Sequence, residues 1–223
     1  MGQDIRLTAS DDFEFGAYRA DPAGKPKGAL VVIQEIFGVN HHIRHVCDRL
    51  AAEGYVAVAP SIFDRTEPGF TSGYSPEEIA VARKFVANPD WQAMLRDTQA
   101  AIDAVQAVGP VGIVGFCLGG SIAYVAATRL SGLKAAVGYY GGAIVRFADE
   151  TPKVPVQLHF GEKDAGIPLS DVETIKAKRP ELEIFIYPGA QHGFSCDERA
   201  SYDKTSADLA WPRAMTFFAQ HLK

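Results

Sequence analysis

Short runs of apolar residues recur along the chain, and most are followed by a stretch with helical periodicity. Continuous apolar runs are typical of strands that are covered on both faces, as in a parallel sheet between two layers of helices. The residues from Phe13 to Arg19 instead alternate between apolar and polar, which predicts an edge strand. The remaining predicted strands are largely apolar and lie at 29–33, 55–59, 111–114, 135–140, 154–160 and 183–187.

Helix signals separate these strands. Asn40 is a suitable N-cap for a helix that begins at His41, and Gly54 terminates that helix. Pro76, followed by two glutamates, begins another helix in a favoured way. Further helices are predicted at 91–108, 121–127, 169–178 and 203–221. This alternation predicts an α/β fold with a doubly wound, mostly parallel sheet. Because no repeat or linker interrupts it, we expect residues 1–223 to form one domain.

A glycine-rich turn, Gly-Phe-Cys-Leu-Gly-Gly at 115–120, joins one predicted strand to the next helix. A Gly-x-nucleophile-x-Gly step of this kind is the nucleophile elbow of α/β-hydrolases, a turn too tight for side chains two residues either side of the nucleophile. Gly115 and Gly119 occupy those two positions, and Cys117 stands where serine is usual. An ordinary buried cysteine is the alternative interpretation. The flanking glycines favour a nucleophile.

Two further polar residues follow later strands, in the α/β-hydrolase chain order of nucleophile, acid and histidine. Asp164 follows the strand at 154–160, and His192 lies between the last strand and the last helix. Ligands bind beyond the carboxyl ends of strands in doubly wound sheets, so Cys117 should meet both residues there. Nucleophile, base and orienting carboxylate would then form a triad. Alternatively, Asp164 is a turn residue and His192 makes only a structural hydrogen bond.

Composition and charge limit the kinds of partner and the cellular compartment expected for this chemistry. The chain is 47% hydrophobic and 22% charged with a net charge of −5, which indicates a globular protein without the basic surface that nucleic acid requires. No apolar run is long enough to span a bilayer, and the N-terminus lacks a signal-peptide pattern. Three cysteines are too few for a disulfide framework. We therefore expect a cytoplasmic protein, whose reducing surroundings keep its thiols usable.

The chain resembles the dienelactone hydrolase family over nearly its whole length. The resemblance rests on the stretches 34–40, 115–120, 137–141, 161–164 and 191–194. The first two together are specific, because cysteine is rare at this elbow among α/β-hydrolases. The family implies an α/β-hydrolase fold and an activity on lactones or esters.

The resemblance also implies roles for individual residues. It implies a Cys-Asp-His triad at the three positions named above and an oxyanion hole made of the backbone N–H groups of Ile36 and Leu118. It further implies that Glu35 interacts with the nucleophilic Cys117 and takes the thiol proton when substrate displaces it. A strand-end carboxylate in water is the alternative interpretation of Glu35.

The match weakens at the residues that would bind substrate. Family members that act on dienelactone hold its carboxylate with arginines, which are suited to bidentate contacts. One of those positions is Cys196 here, and the nearest basic residue is Arg199. Arg83, in the helix after the 62–76 loop, is the second candidate. Solvated surface arginines are the alternative for both. Phe37, Tyr74, Tyr139 and Tyr140 could line the pocket, although any of them could belong to the core, and Phe37 and Tyr139 are the two predicted to line it.

Histidines and the remaining cysteines carry weaker signals. His41 and His45 lie at helical spacing and could share a zinc ion, but no third ligand is nearby in the chain. We therefore expect neither a metal nor a cofactor. Cys47 is predicted to be a core residue, and a disulfide between Cys196 and Cys117 is a remote alternative.

Together these features predict a hydrolase that opens an enol-lactone, or cleaves an activated ester, through a thioacyl-enzyme on Cys117. The expected partner is a small-molecule lactone or ester, without nucleic acid or membrane, and the protein is expected to be a monomer or a small homo-oligomer. A general carboxylesterase or thioesterase with the same triad is one alternative. A non-catalytic binding protein of the same fold is the other.

Overall fold

Eight strands form one sheet in the computed structural model, which describes residues 2–223. They lie in the order β1-β2-β4-β3-β5-β6-β7-β8. The two antiparallel pairings are β1 with β2 and β2 with β4, and all the others are parallel. Their bounds are β1 (Gln3–Thr8), β2 (Glu14–Ala20), β3 (Ala29–Ile33), β4 (Val56–Pro60), β5 (Val111–Phe116), β6 (Leu133–Tyr139), β7 (Val156–Gly161) and β8 (Glu183–Tyr187). The predicted α/β fold with a mostly parallel sheet is confirmed.

Helices connect the parallel strands and cover the sheet. They are α1 (His41–Ala52), α2 (Pro76–Ala82), α3 (Trp91–Val105), α4 (Leu118–Arg129), α5 (Ile144–Phe147), α6 (Leu169–Lys178) and α7 (Lys204–His221). Short 3₁₀ turns extend α2 over Arg83–Val86 and α3 over Gln106–Val108. Every residue of β3, β4 and β5 is buried, so the core lies on both faces of the central strands.

Local sequence explains where several helices begin. The Asn40 side chain accepts a hydrogen bond from the Ile43 amide at 3.3 Å, which makes it the predicted N-cap of α1. At α2, Ser75 is the N-cap and forms a reciprocal capping box with Glu78, the third residue of the helix. Within residues 2–223, no helix combines the length and apolarity needed to cross a bilayer.

The fold places the chemistry-bearing segments together. β3, β5 and β7 run parallel near the centre of the sheet, so the segments that follow them emerge at one edge. Glu35 follows β3, Cys117 follows β5 and Asp164 follows β7. His192 follows β8, the next strand along the same edge, and this convergence is the one expected from the chain order.

Candidate active site

Cys117 lies at the sharp turn between β5 and α4, where its backbone adopts φ 56° and ψ −114°. A positive φ is unusual for a residue with a side chain, and such strain persists only where the surroundings enforce it. Its amide donates to the Tyr139 carbonyl at 3.0 Å, and the Gly119 amide donates to the Gln34 carbonyl at 3.1 Å. These two hydrogen bonds tie the turn to the strands on either side.

The glycines of this turn are required by close backbone contacts. A Cβ atom at Gly115 would collide with the Gly119 carbonyl, and one at Gly119 would collide with the Ile33 carbonyl. Neither neighbour is a flexible side chain, so neither can move away. The two positions that the motif reserves for glycine are therefore sterically closed to any other residue.

Asp164 and His192 are joined by a hydrogen bond, with His192 Nδ1 2.7 Å from Asp164 Oδ2. The Asp164 side chain is 1% exposed and its other oxygen accepts the Gly166 amide at 2.8 Å, which fixes the carboxylate. Its partner imidazole is 30% exposed and faces the same cavity as Cys117. A buried carboxylate on Nδ1 leaves Nε2 as the ring nitrogen that can exchange a proton with a reacting group.

The electrostatics of His192 favour its protonated form. Burial lowers the imidazole pKa, but the neighbouring Cys117 sulfur, within hydrogen-bonding reach, and the Asp164 carboxylate raise it more, to about 10. Of the groups that raise this pKa, Cys117 contributes most. The arrangement can therefore hold an imidazolium that is oriented by a buried carboxylate and lies beside the sulfur.

The two backbone amides predicted to form an oxyanion hole are free of backbone partners within residues 2–223. Leu118 is the first residue of α4 and Ile36 follows β3, and both are only partly buried. Free N–H groups at a helix N-terminus, next to a nucleophile, can stabilise a developing oxyanion.

A cavity of about 530 Å³ opens over the sulfur, a volume suited to a small-molecule ligand. Its walls include all three predicted triad residues and Ile36. Apolar side chains, among them Phe37 and Ile79, form one part of the wall. Three cationic side chains, Arg83, Lys163 and Arg199, form another.

The sequence profile described as "Dienelactone hydrolase family" matches residues 15–222, which is nearly the whole chain. The chain belongs to the dienelactone hydrolase family. Curated relatives agree along the full length. A protein of Synechocystis sp. named "Putative carboxymethylenebutenolidase" is 39% identical, with 100% of each chain covered. A protein of Yersinia pestis with the same name is 36% identical, over 93% of this chain and 84% of that protein.

Solved structures give the same result for the fold. A crystal structure titled "Putative Dienelactone Hydrolase" from Klebsiella pneumoniae is 34% identical and superposes with a TM-score of 0.85, covering 98% of this chain and 99% of that one. The dienelactone hydrolase family membership and these relatives make the chain an ester hydrolase with an α/β-hydrolase fold.

The glutamate that the dienelactone hydrolase family places near the nucleophile is held elsewhere in this structure. Glu35 is 1% exposed, and its Oε1 accepts from Arg199 Nη1 at 2.8 Å. The Tyr74 hydroxyl donates to its Oε2 at 3.4 Å. Within residues 2–223, the Glu35 carboxylate makes no hydrogen bond to Cys117. The implied contact between them stays a prediction, and the carboxylate in water is excluded by its burial.

The structure places three of the four residues predicted to bind substrate at the cavity over Cys117 and the fourth away from it. Phe37, Arg83 and Arg199 all line the cavity over the sulfur, as expected. Tyr139 does not line it, which makes its assignment to that pocket wrong. The Tyr139 ring is buried, its hydroxyl donates to the Ala210 carbonyl at 3.2 Å, and it lines a separate cavity under α7. Consecutive strand residues point to opposite faces, and Tyr139 points away from the substrate side.

The structure also shows where the histidines and cysteines with weaker sequence signals lie. The rings of His41 and His45 lie parallel on the exposed side of α1, with centroids 6.5 Å apart. Among residues 2–223, no acidic or thiol group joins this pair to form a cluster of three donors. Cys47 is buried in the core, and the Cys196 sulfur donates to the Tyr74 hydroxyl at 3.3 Å. All three cysteines are free thiols.

Sequence reasoning missed Lys163 and did not predict the hydrogen-bond partners of Tyr74. Lys163 lies between a predicted strand and Asp164, and its place in that motif was the only available signal. Tyr74, in the loop before α2, bridges Glu35 and Asn40 through its hydroxyl. Burial and the nearby Glu35 charge raise the pKa of this phenol, so it stays protonated. No local pattern marks a loop tyrosine as a partner of a residue 39 positions away.

Proposed function

We propose that the protein opens enol-lactones or cleaves activated esters by transferring the acyl group to Cys117. The observation that carries this proposal is the hydrogen-bonded Asp164–His192 pair next to a sulfur held at a strained elbow. A nucleophile, a base and an orienting carboxylate in this order are the elements of triad catalysis.

The first half-reaction forms a thioacyl-enzyme. The Cys117 thiolate attacks the acyl carbon, and the negative charge that develops on the carbonyl oxygen is stabilised by the N–H groups of Ile36 and Leu118. The carbon–oxygen bond of the lactone or ester then breaks. The departing enolate or alkoxide takes a proton from the His192 imidazolium.

The second half-reaction releases the acid. The neutral His192 removes a proton from a water molecule, whose oxygen attacks the thioester carbon and displaces the sulfur. The imidazolium re-forms beside the thiolate, and Asp164 keeps the ring in the tautomer that both steps require. Thiolates are good leaving groups, so this chemistry favours acyl groups with stabilised leaving groups over plain alkyl esters.

The cavity charges support a substrate that carries a carboxylate. Arg83, Lys163 and Arg199 surround the space over the sulfur, and guanidinium groups bind carboxylates in bidentate fashion. Arg199 also pairs with the buried Glu35, so a substrate carboxylate that binds Arg199 competes with Glu35. A freed Glu35 would then be available to interact with Cys117, the contact that the family resemblance implies.

The nucleophile is tested with Cys117→Ser and Cys117→Ala, assayed on a muconate-type lactone and on a short aryl ester. We expect Cys117→Ala to lose at least about 10³-fold in kcat/KM on both substrates. Mass spectrometry of the native enzyme mixed with the aryl ester should show one acyl group on the peptide that contains Cys117. Unchanged hydrolysis in folded Cys117→Ala would overturn the assignment of Cys117 as the nucleophile.

The carboxylate subsite is tested with Arg83→Met, and Lys84→Met is the matched control because Lys84 is the next residue and does not line the cavity. Arg83→Met should raise KM for the carboxylate-bearing lactone about tenfold and leave KM for the neutral aryl ester unchanged. Equal KM values for both variants on the lactone would instead favour a general carboxylesterase or thioesterase.

A further inference from the structure

His42 is a buried histidine whose ring lacks partners. It lies in the first turn of α1, its side chain is 3% exposed, and within residues 2–223 neither ring nitrogen makes a hydrogen bond. Burial of an unsatisfied polar ring is unfavourable, and such a group in a native protein calls for an explanation. The ring lines a cavity of about 220 Å³ between α1 and α7, which is separate from the one over Cys117.

Two carboxylates from the loop after β8 approach the same ring. Asp197 Oδ1 lies 3.5 Å from His42 Nδ1, and Asp197 also lines the small cavity. One donor atom from each of His42, Asp197 and Glu198 can be chosen so that all three lie within 4.8 Å of one another. An imidazole nitrogen with two carboxylate oxygens is a donor set that suits a divalent transition metal.

We propose that His42, Asp197 and Glu198 bind a divalent transition metal ion of the zinc class. A cation at the centre of a triangle with sides of 4.8 Å lies ~2.8 Å from each corner, so shifts of under ~1 Å bring the donors to the ~2.1 Å of zinc ligands. The two carboxylates offset the charge of the ion. Water completes the coordination.

Neighbouring groups fit this assignment. His41 Nδ1 lies 2.5 Å from Glu198 Oε1, and a hydrogen bond of this kind orients a carboxylate ligand from outside the coordination sphere. Within residues 2–223 neither nitrogen of the His42 ring is engaged in a hydrogen bond, so one of them can donate a lone pair to an ion.

A second donor set shares His42 but is less suitable. Glu35, His42 and Cys196 also converge within 4.8 Å. The Glu35 carboxylate, however, is already paired with Arg199 at 2.8 Å. The Cys196 thiol is likewise engaged, since it donates to the Tyr74 hydroxyl at 3.3 Å. The partly exposed carboxylates of the loop are the available ligands.

The ion would join α1 to the loop that carries His192 and Arg199, without touching the sulfur of Cys117. Its expected effect is structural, because it would pin this loop to the helix. The proposal does not depend on the chemistry at Cys117, since none of its three ligands belongs to the triad.

The test uses the full chain with Cys117→Ser, so that the active-site thiol cannot bind the probe. Titration with Zn²⁺ alone, followed by calorimetry, should give one equivalent bound and a rise in Tm on loading. His42→Gln should abolish binding. Asp197→Asn, which changes an exposed side chain and should fold normally, should weaken binding at least tenfold. His45→Gln, a substitution of an exposed histidine on the same helix, should leave binding unchanged.

Titration with Co²⁺ identifies the ligands independently. A d–d spectrum without sulfur-to-metal charge transfer is expected for nitrogen and oxygen donors. Binding of less than 0.1 equivalent at about 100 µM Zn²⁺, or equal binding by His42→Gln that folds normally, would overturn the proposal. So would a charge-transfer band that disappears in Cys196→Ser, because it would assign the metal to the other donor set.

Discussion

Asp164 shows how much of the site depends on a single carboxylate. Its two oxygens are both occupied, one by the Gly166 amide and the other by His192. The first contact shapes the loop and the second sets the tautomer of the ring. A substitution that keeps the shape of the Asp164 side chain and removes its charge therefore tests its role in the reaction without disturbing the fold.

Asp164→Asn should lower kcat by about 10²–10⁴-fold, because a neutral amide neither stabilises the imidazolium nor enforces the required tautomer. Tm should change little, since the amide oxygen can still accept from Gly166. The matched control is Asp149→Asn, whose side chain is 81% exposed, and it should retain full activity. Activity within threefold of the native enzyme in Asp164→Asn would exclude the proposed role.

Individual site residues could be predicted where a motif ties them to a strand end. Cys117, Asp164 and His192 each follow a recognisable strand, and the structure brings all three to one cavity. Tyr139 was misplaced because its position depends on which sheet face it points to, and a strand buried on both faces carries no such signal. The pairing of Glu35 with Arg199 spans 164 positions, beyond any local pattern.

At the scale of the element, the junction of β5 and α4 depends on the absence of side chains. Gly119 approaches the Ile33 and Gln34 carbonyls, which belong to the end of β3 and the segment after it. The helix therefore packs against the neighbouring strand through bare backbone. An added methyl group must push the two elements apart.

Gly119→Ala should destabilise the fold by more than about 3 kcal/mol or prevent soluble expression, because the colliding atoms are backbone atoms. Urea denaturation followed by circular dichroism measures the change. Gly24→Ala is the control, since a Cβ there meets no atom within 4 Å and its φ is not positive. A Gly119→Ala variant as stable as Gly24→Ala would show that the elbow tolerates side chains.

Most elements could be predicted, and those that were missed are short or weakly patterned. The helices at 41–52 and 169–178 match their predicted bounds. β1 was missed because its alternation covers only the four residues from Ile5 to Thr8 and only one of its six residues is buried, which is a weak strand signal. It is a strand only because β2 pairs with it at the edge of the sheet. α5 has four residues, which is too few for a periodic signal.

At the scale of the whole molecule, stability should depend on pH through a buried histidine outside the predicted triad. His159 is fully buried in β7, with Nδ1 2.8 Å from the Tyr187 hydroxyl and Nε2 2.9 Å from Gln157 Oε1. Burial, assisted by the Arg213 charge, lowers its pKa from 6.5 to about 3. The native protein therefore keeps this ring neutral in acid that protonates the unfolded chain.

The sign of the effect follows from proton binding. Between pH 6.5 and about 3 the unfolded state binds one more proton at His159 than the native state, so stability falls as the pH falls through this window. The slope is about 1.4 kcal/mol per pH unit for one proton. Denaturant titrations from pH 7 to 4 should show this slope in the native protein and a shallower one in His159→Gln. Parallel curves for the two proteins would contradict it.

The topology as a whole could be predicted because strands and helices alternate and clear turn residues separate them. Right-handed crossovers then leave few possible strand orders. What could not be predicted is which distant loops meet. The cluster of His42, Asp197 and Glu198 joins residues more than 150 positions apart, whereas the chain suggested His41 with His45 because they are neighbours on one helix. Which loops come into contact depends on how the folded sheet arranges the strand ends, and this is not encoded in local sequence.

The bend at Cys117 is maintained by glycines and main-chain hydrogen bonds, none of which involves the sulfur. The backbone conformation at position 117 is thus independent of the atom that the side chain carries. A serine there would direct its oxygen into the same cavity, although its shorter bond to carbon would hold that oxygen further from His192. A lineage built on this scaffold can therefore exchange its nucleophile through one codon, while the backbone of the turn is inherited intact.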